Sequence, residues 1–196
     1  MLPEAVLSVV VGIALAAACG LRIFVPLLVL SVAAHVKHFT PAAGFAWLGS
    51  DAALIALGVA TVVEVAAYHV PWLDHVLDAA GAPLAIAAGV IVMAASAQHL
   101  SPFLRWALPL VAGGGAAGVF FALTSIMRLG STLTTGGLAN PLFATFEAGA
   151  AVVLSILALL LPLLASLVIV GFIWIALRRR RRRMSVRPGG NAWTAS

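Results

Sequence analysis

Five apolar segments dominate the pattern of hydrophobic and polar positions along the chain. They cover residues 5–34, 52–70, 82–97, 103–127 and 148–177, and polar or charged stretches separate them. Uninterrupted apolar runs of this length are typical of helices that cross a bilayer. The pattern therefore predicts an all-α, polytopic membrane domain of about five spans over residues 1–177.

The first and last segments are too long for one straight span. Each covers about 30 residues, which would form a helix about 45 Å long against a hydrocarbon core of about 30 Å. Arg22, between Gly20 and Pro26, interrupts the first segment, and Pro162 removes a helical hydrogen bond in the last. We predict that both helices are broken or kinked there. For the first segment, a single pass and a re-entrant hairpin or pair of short spans both remain open.

Composition places the whole chain in a membrane. Hydrophobic residues make up 63% of it and charged residues 9%, with a mean hydropathy of +1.16. These values lie far outside the range of soluble domains. The single cysteine, Cys19, excludes an intrachain disulfide. We expect a multi-pass protein of the bacterial inner membrane.

The positive charge is concentrated after the last apolar segment. Lys and Arg number 11 against 6 Asp and Glu, and most of the excess lies in the run Arg178–Arg183. A basic run that directly follows an apolar helix is typical of a cytoplasmic stop-transfer signal on anionic lipid head groups. We therefore predict that residues 178–196 form a disordered cytoplasmic tail that binds lipid rather than nucleic acid.

Loop charges give an orientation to the five-span arrangement. With the tail inside, Lys37 and Arg105 also lie inside and the acidic Asp74 and Asp78 outside, in agreement with the positive-inside rule. Arg128 falls on the outer side and departs from this rule. An arginine in such a position is expected to have a specific partner.

Two of the charges lie deep within the apolar segments. A guanidinium at the centre of a span costs from about 3 to more than 10 kcal/mol, and a lone carboxylate there must be protonated, hydrated or paired. Glu64, in the second segment, is the obvious partner for Arg22. The pair could bind an anion through Arg22 and exchange protons through Glu64. The alternative is a static salt bridge that fixes helix packing.

The polar loop before the last segment is a second candidate anion site. Asn140 is a good N-cap and Pro141 suits a first helical turn, so a helix should begin there with free N–H groups facing the loop. An ordinary capped external loop is the alternative. The candidate residues are Arg128, Thr134, Thr135, Gly136, Gly137, Asn140 and Glu147.

Catalytic and metal-binding patterns are weak. His69, Asp74, His75 and Asp78 are metal-ligand types, but their spacing matches no strong zinc pattern. Nucleotide-loop and hydrolase motifs are missing, and Gly113–Gly118 lies in an apolar span where it favours close helix packing. We expect no enzyme activity, no resident metal and no cofactor.

Several stretches together resemble a bacterial membrane family, domain of unknown function 4126, over residues 12–177. They are Gly20-Leu21-Arg22 with Pro26-Leu27-Leu28, the stretch 45–50, Glu64 with Asp74 and Asp78, and the stretch 134–141 with its Thr-Thr-Gly-Gly and Asn-Pro. The resemblance implies a multi-spanning membrane protein and supports the same candidate residues. It implies no activity.

These features favour a small transporter, expected to be a homo-oligomer, that moves an anionic or amphipathic solute. Transporters place broken helices and buried charges near the bilayer midplane. In this hypothesis Arg22 and Arg128 bind the anion, and Glu64 or Glu147 carries a proton. The main alternative is a non-transporting scaffold or accessory subunit in which buried ion pairs hold the helices together.

Overall fold

A computed structural model describes residues 2–67, 71–98, 100–136 and 139–184. These ranges contain eight α-helices and no strand, so the all-α prediction is confirmed for them. Ala46–Gly49 forms a 3₁₀ turn, and Pro109–Gly113 forms a π-helical segment that joins the fifth and sixth helices. The α-helices are Leu2–Leu21 (α1), Phe24–His35 (α2), Asp51–Ala67 (α3), Pro71–Ser96 (α4), Leu104–Leu108 (α5), Gly114–Thr135 (α6), Asn140–Leu160 (α7) and Pro162–Met184 (α8).

The first apolar segment is broken at Arg22, as predicted. Gly12 of α1 lies against Met93 near the end of α4. The N–H of Ala42, which follows α2, donates to the carbonyl of Ala95 at 2.8 Å, beside the same end of α4. The chain has therefore returned toward the middle of α1 by the time it leaves α2. Helices α1 and α2 form a hairpin with Arg22 at its tip.

The last apolar segment is also broken, at Leu161. This residue has φ −139° and ψ 69°, which ends α7, and Pro162 begins α8. Leu159 lies beside Leu7, near the beginning of α1, so a straight continuation of α7 would soon leave the core. Instead Ala165 and Ile169 are buried in the core. The chain changes direction at Leu161, and α8 then continues through the basic run to Met184.

Helix α1 lies at the centre of the fold and packs against α4, α6, α7 and α8. Its small side chains make this possible, because residues 16–18 are alanines and each is completely buried. A Cβ atom at Gly20 would overlap the carbonyl oxygen of Ala117 on α6. The close approach of α1 and α6 at this glycine brings Arg22 into the interior rather than to the surface.

The outward faces of the helices are apolar. Among the described residues, three helices are long and apolar enough to cross a membrane: Glu4–Leu21, Leu104–Thr135 and Asn140–Leu160. Phe24–His35 and Ala80–Ser96 are shorter apolar helices. The predicted count of five spans and the re-entrant segment remain predictions. Large side chains exposed on these faces include Ile55, Val59, Val62, Val119, Ile126, Leu142 and Phe146.

Candidate functional site

Four charged side chains are buried in the part of the chain that the structure describes. Arg22, Glu64, Arg128 and Glu147 have relative exposures of 1%, 3%, 4% and 2%. They come from the α1–α2 break, α3, α6 and α7 respectively. Two positive and two negative charges are thus enclosed together, and we refer to these four residues as the charge cluster.

Arg22 reaches from the tip of the α1–α2 hairpin to α7. Its Nη2 atom donates a hydrogen bond of 2.6 Å to the carbonyl oxygen of Ala144 and lies 3.4 Å from Glu147 Oε2. Ala144 and Glu147 are three residues apart and share the buried face of α7. The carbonyl bond fixes the guanidinium so that it faces the carboxylate one turn away.

Glu64 caps the beginning of α2. Its two carboxylate oxygens accept hydrogen bonds from the backbone N–H groups of Ile23, at 2.7 Å, and Phe24, at 3.0 Å. A helix that starts inside a protein leaves its first N–H groups unsatisfied, and its positive end favours a carboxylate. Glu64 meets both requirements from a neighbouring helix.

The predicted pairing of Arg22 with Glu64 remains a prediction. In the structure Arg22 lies 3.4 Å from Glu147, and Glu64 accepts hydrogen bonds from the two residues that follow Arg22. The charges of Arg22 and Arg128 still act on the Glu64 carboxylate, so Arg22 and Glu64 belong to one cluster.

Glu147 lies between two arginines. Its Oε2 faces Arg22, and its Oε1 is 3.6 Å from Arg128 Nε. Arg128 is positioned by α6, whose buried face changes from apolar at Phe121 to polar at Thr124, Arg128 and Ser131. Glu147 lies about two turns inside α7, and a role for it in binding an anion together with Arg128 remains a prediction.

The cluster is electrically balanced but sensitive to the loss of any member. Breaking a buried ion pair by removing one partner costs about 3–5 kcal/mol, because the remaining charge is left uncompensated. The four charges come from the α1–α2 break, α3, α6 and α7, so the loss of one charge affects the packing of all four parts of the fold. The arrangement can therefore either fix those elements or respond when an external anion replaces one of the carboxylates.

The predicted cradle in the 134–141 loop includes residues outside the described ranges, and it remains a prediction. Helix α6 continues to Thr135 and ends at Gly136, which has a positive φ of 63°. The hydroxyls of Thr134 and Thr135 donate to carbonyl oxygens of their own helix, of which Ser131 is shared. Both threonines are exposed, whereas Arg128 is buried. Threonine hydroxyls can satisfy themselves locally in this way.

Asn140 is also placed differently from the prediction. Helix α7 begins at this residue, as expected, but the N-cap position is Ala139, which makes no side-chain capping bond. The Asn140 amide instead donates to Thr132 Oγ1 at 3.0 Å and ties the start of α7 to the end of α6. Gly137 lies outside the described residues. The helices on either side of the loop therefore contribute Arg128 and Glu147 to the charge cluster, and the Asn140–Thr132 hydrogen bond joins these two helices.

The candidate metal ligands lie where the structure describes no side chains. His69 lies outside the described residues, and Asp74, His75 and Asp78 are placed only as backbone positions in the first turns of α4. Across the described ranges, no group of three or more His, Cys, Asp and Glu residues could hold a metal ion. The expectation of no resident metal remains a prediction.

Three parts of the cluster were missed by reasoning from the sequence. They are the carbonyl oxygen of Ala144 and the N–H groups of Ile23 and Phe24. The two N–H groups had a signal, because a helix break after Gly20 creates a new helix start that needs a carboxylate. The Ala144 carbonyl had no signal in the sequence, because every residue has a backbone carbonyl group.

The basic run at the end of α8 begins beside an aromatic ring. The guanidinium carbon of Arg178 lies 4.8 Å from the centroid of the Trp174 ring, within the range of a cation–π interaction. A tryptophan followed by arginines is typical of a membrane–water interface. Binding of Arg178–Arg183 to anionic lipid remains a prediction.

Comparison with known proteins gives one match. The sequence matches a family model, described as Domain of unknown function (DUF4126), over residues 9–182. No curated protein and no solved structure matches it. The matched range includes all four members of the charge cluster.

Proposed function

The chain belongs to the domain of unknown function 4126 family, and we propose that it is an integral membrane protein that moves a small anionic solute through the charge cluster. The observation that carries this proposal is the position of Glu147, whose carboxylate lies between Arg22 and Arg128. Arginine is suited to carboxylates and phosphates because its planar guanidinium offers several fixed donors. Two arginines from different helices therefore form an anion site, which Glu147 fills.

The proposed membrane position follows from the α1–α2 hairpin. Helix α2 has 12 residues, or about 18 Å, which is too short to cross about 30 Å of hydrocarbon. Its far end is followed by the exposed residues Lys37 and His38. We therefore treat α1 and α2 as a re-entrant hairpin that carries Arg22 to membrane depth. The tail is taken to be cytoplasmic, in a bacterial inner membrane.

Access to the cluster is proposed to involve α2 and α3. Helix α3 packs mainly on α2 and makes few contacts with α4 and α7. Much of its remaining surface is exposed and apolar, whereas Glu64 is buried. The bonds from Glu64 to Ile23 and Phe24 thus hold a peripheral helix onto the hairpin tip. Movement of α2 together with α3 would open the charge cluster, and neighbouring subunits of a homo-oligomer would support these two helices.

The competing function is a scaffold in which the same charges only hold helices together. The burial of all four side chains favours this alternative, because a buried pair can fix packing without ever opening. The two functions differ in what the wild-type protein does. A transporter moves solute, and a scaffold does not.

Solute flux in liposomes that contain the purified protein tests the proposal. Labelled lactate, labelled phosphate and labelled chloride are offered separately, and uptake is compared with that of protein-free liposomes. Wild-type protein should raise the uptake of at least one anion. Arg22→Gln and Arg128→Gln should each reduce it by roughly 10- to 100-fold, the effect of losing a hydrogen bond between charged groups worth about 1.5–3 kcal/mol.

The matched control is Arg105→Gln. Arg105 lies on α5, before the π-helical segment that leads into α6, and it donates to the carbonyl of Gln98 at 3.4 Å. Its replacement should leave flux within about twofold of wild type, as expected for a site outside the cluster. If folded wild-type protein moves none of the three anions and the cluster variants lose only thermal stability, the scaffold function is the correct one.

A further inference from the structure

Glu147 holds the place of the solute when the site is closed. We infer that a small monocarboxylate displaces the Glu147 carboxylate from Arg22 and Arg128, and that Glu147 takes up one proton as it leaves. This inference rests on the proposed function and deepens it. It makes the protein a carrier in which one proton accompanies each anion.

The charge balance of the cluster requires this proton. Arg22 and Arg128 balance Glu64 and Glu147, and all four are almost completely buried. A monovalent anion that entered without any other change would leave one uncompensated negative charge in the interior. Burial of such a charge is strongly unfavourable. One proton from the adjacent water, bound to a carboxylate oxygen, restores neutrality.

Glu147 is the carboxylate that changes protonation, because an entering anion takes away its partners. Its carboxylate oxygens lie 3.4 Å and 3.6 Å from the two arginines that the anion would contact. Glu64 keeps its partners in the same event, since the N–H groups of Ile23 and Phe24 are not displaced. The contacts that hold Glu64 in place therefore do not depend on the two arginines.

Among the described residues, Glu64 and Glu147 are the buried carboxylates on α7 and the helices that pack on it. Helix α7 packs on α1, α2, α3, α6 and α8. The buried charged groups that the described parts of these elements hold besides Glu147 are Arg22 at the hairpin tip, Arg128 on α6 and Glu64 on α3, and the first two lie 3.4 Å and 3.6 Å from Glu147. The remaining titratable groups of these elements lie at their far ends, apart from Cys19, which is buried in α1. These groups are Glu4, His35, Asp51 and the arginines from Arg178 onward.

The chemical class of the solute follows from the group that it replaces. The Glu147 carboxylate presents one oxygen to each arginine, at 3.4 Å and 3.6 Å. A small monocarboxylate reproduces both the charge and the spacing of these two oxygens. Inorganic phosphate carries more charge at neutral pH and would need a further proton or cation. We therefore expect the site to prefer acetate or lactate over phosphate.

Acetate binding measured as a function of pH tests the inference. The purified protein is heated with increasing sodium acetate at pH 6, 7 and 8, and unfolding is followed by the fluorescence of its 5 tryptophans. If one proton enters with each acetate, the apparent dissociation constant of the wild type rises about tenfold per pH unit. In Glu147→Gln the competing charge is gone. This variant should bind acetate more tightly than wild type at pH 8, with less than about twofold change across the range.

Two controls make the result specific. Asp51→Asn removes an exposed carboxylate at the other end of α3 and should keep the wild-type pH dependence. Sodium phosphate replaces acetate in a parallel series, and tighter binding of phosphate would overturn the monocarboxylate assignment. If Glu147→Gln does not fold, proton uptake by the wild-type protein tests the inference instead. At pH 7 in weak buffer, an indicator dye should report about one proton taken up per acetate bound.

The failures of the two proposals are distinguishable. Acetate binding by the wild type that is independent of pH and takes up no proton would overturn the exchange at Glu147, while the anion site would stand. No binding of acetate or phosphate by either wild type or Glu147→Gln would overturn the anion site itself, and with it the proposed function.

Discussion

The two helix breaks of this protein have different surroundings. At Arg22 the break is buried, and a carboxylate from another helix satisfies the N–H groups of Ile23 and Phe24. At Leu161 the break is exposed and apolar, with no charged residue between Leu160 and Leu177. Pro162 supplies the second break because it lacks an N–H group. A proline can thus end a helix without help from other elements, whereas the break at Arg22 depends on three other helices.

The comparison shows that a helix break can change the direction of the chain without forming a functional site. The break at Leu161 changes the direction of α7 and α8 and brings no functional group with it. The break at Arg22 also reverses the chain, and in addition it gathers two arginines and two carboxylates in the interior. Substitutions at the two breaks should therefore differ strongly in their effects.

The largest effect is expected for Glu64→Ala. This change leaves two N–H groups at the start of α2 without their acceptor and leaves the cluster with one excess positive charge. Loss of one member of a buried ion pair costs about 3–5 kcal/mol. The measurement is the midpoint of thermal unfolding in detergent, together with the yield of monodisperse protein.

Asp51→Ala is the matched control for this prediction. Asp51 is a carboxylate on the same helix, but its side chain is 86% exposed and it lies 3.6 Å from His35. An exposed pair of this kind contributes about 0–1 kcal/mol. Equal destabilisation by Glu64→Ala and Asp51→Ala would show that Glu64 does not hold the break together.

A smaller effect is expected for Gly20→Ala. The new Cβ atom would overlap the Ala117 carbonyl oxygen, so α1 and α6 must separate close to Arg22. Overpacking of this kind costs about 1–3 kcal/mol. Gly58→Ala on α3 is the control, because a Cβ atom there would meet no other atom within 4 Å. A helix-interior alanine should stabilise that position by up to about 1 kcal/mol. Unfolding midpoints that fall equally in both variants would contradict the prediction.

The smallest effect is expected for Pro162→Ala. The substitution restores a backbone N–H group at a partly buried position and removes no contact of the charge cluster. We expect a change in unfolding free energy within about 1 kcal/mol and unchanged anion flux. A loss of flux as large as that of Arg22→Gln would mean that the two breaks act together and would remove the distinction drawn between them.

Much of the fold could be predicted because two effects act at single residues: the cost of burying a charge and the missing N–H group of a proline. A guanidinium or a proline in an over-long apolar segment marks a break whatever the neighbouring helices are, and both breaks were located in this way. Helix ends were harder. The fourth apolar segment ends at residue 127, yet α6 continues to Thr135 because its polar residues remain helical until Gly136 takes a positive φ.

The partners within the site were only partly predictable. Glu64 and Glu147 both lie in apolar helices, and which of them pairs with Arg22 depends on how α3 and α7 are rotated about their axes. The sequence pattern does not determine these rotations accurately enough to show which carboxylate faces Arg22. The hydroxyls of Thr134 and Thr135 could equally face a ligand or their own helix, and the local bonds are the ones that the structure contains.

The contacts of the α1–α2 hairpin also impose an order on biosynthesis. Glu64 follows Ile23 by 41 residues, so the carboxylate that caps α2 is made soon after the hairpin. Ala144 follows Arg22 by 122 residues. At bacterial and eukaryotic translation rates of about 5–20 residues per second, that interval lasts roughly 6–25 s. Throughout it Arg22 lacks the contacts with α7 that it makes in the folded protein, and the core is complete only when α7 has been made.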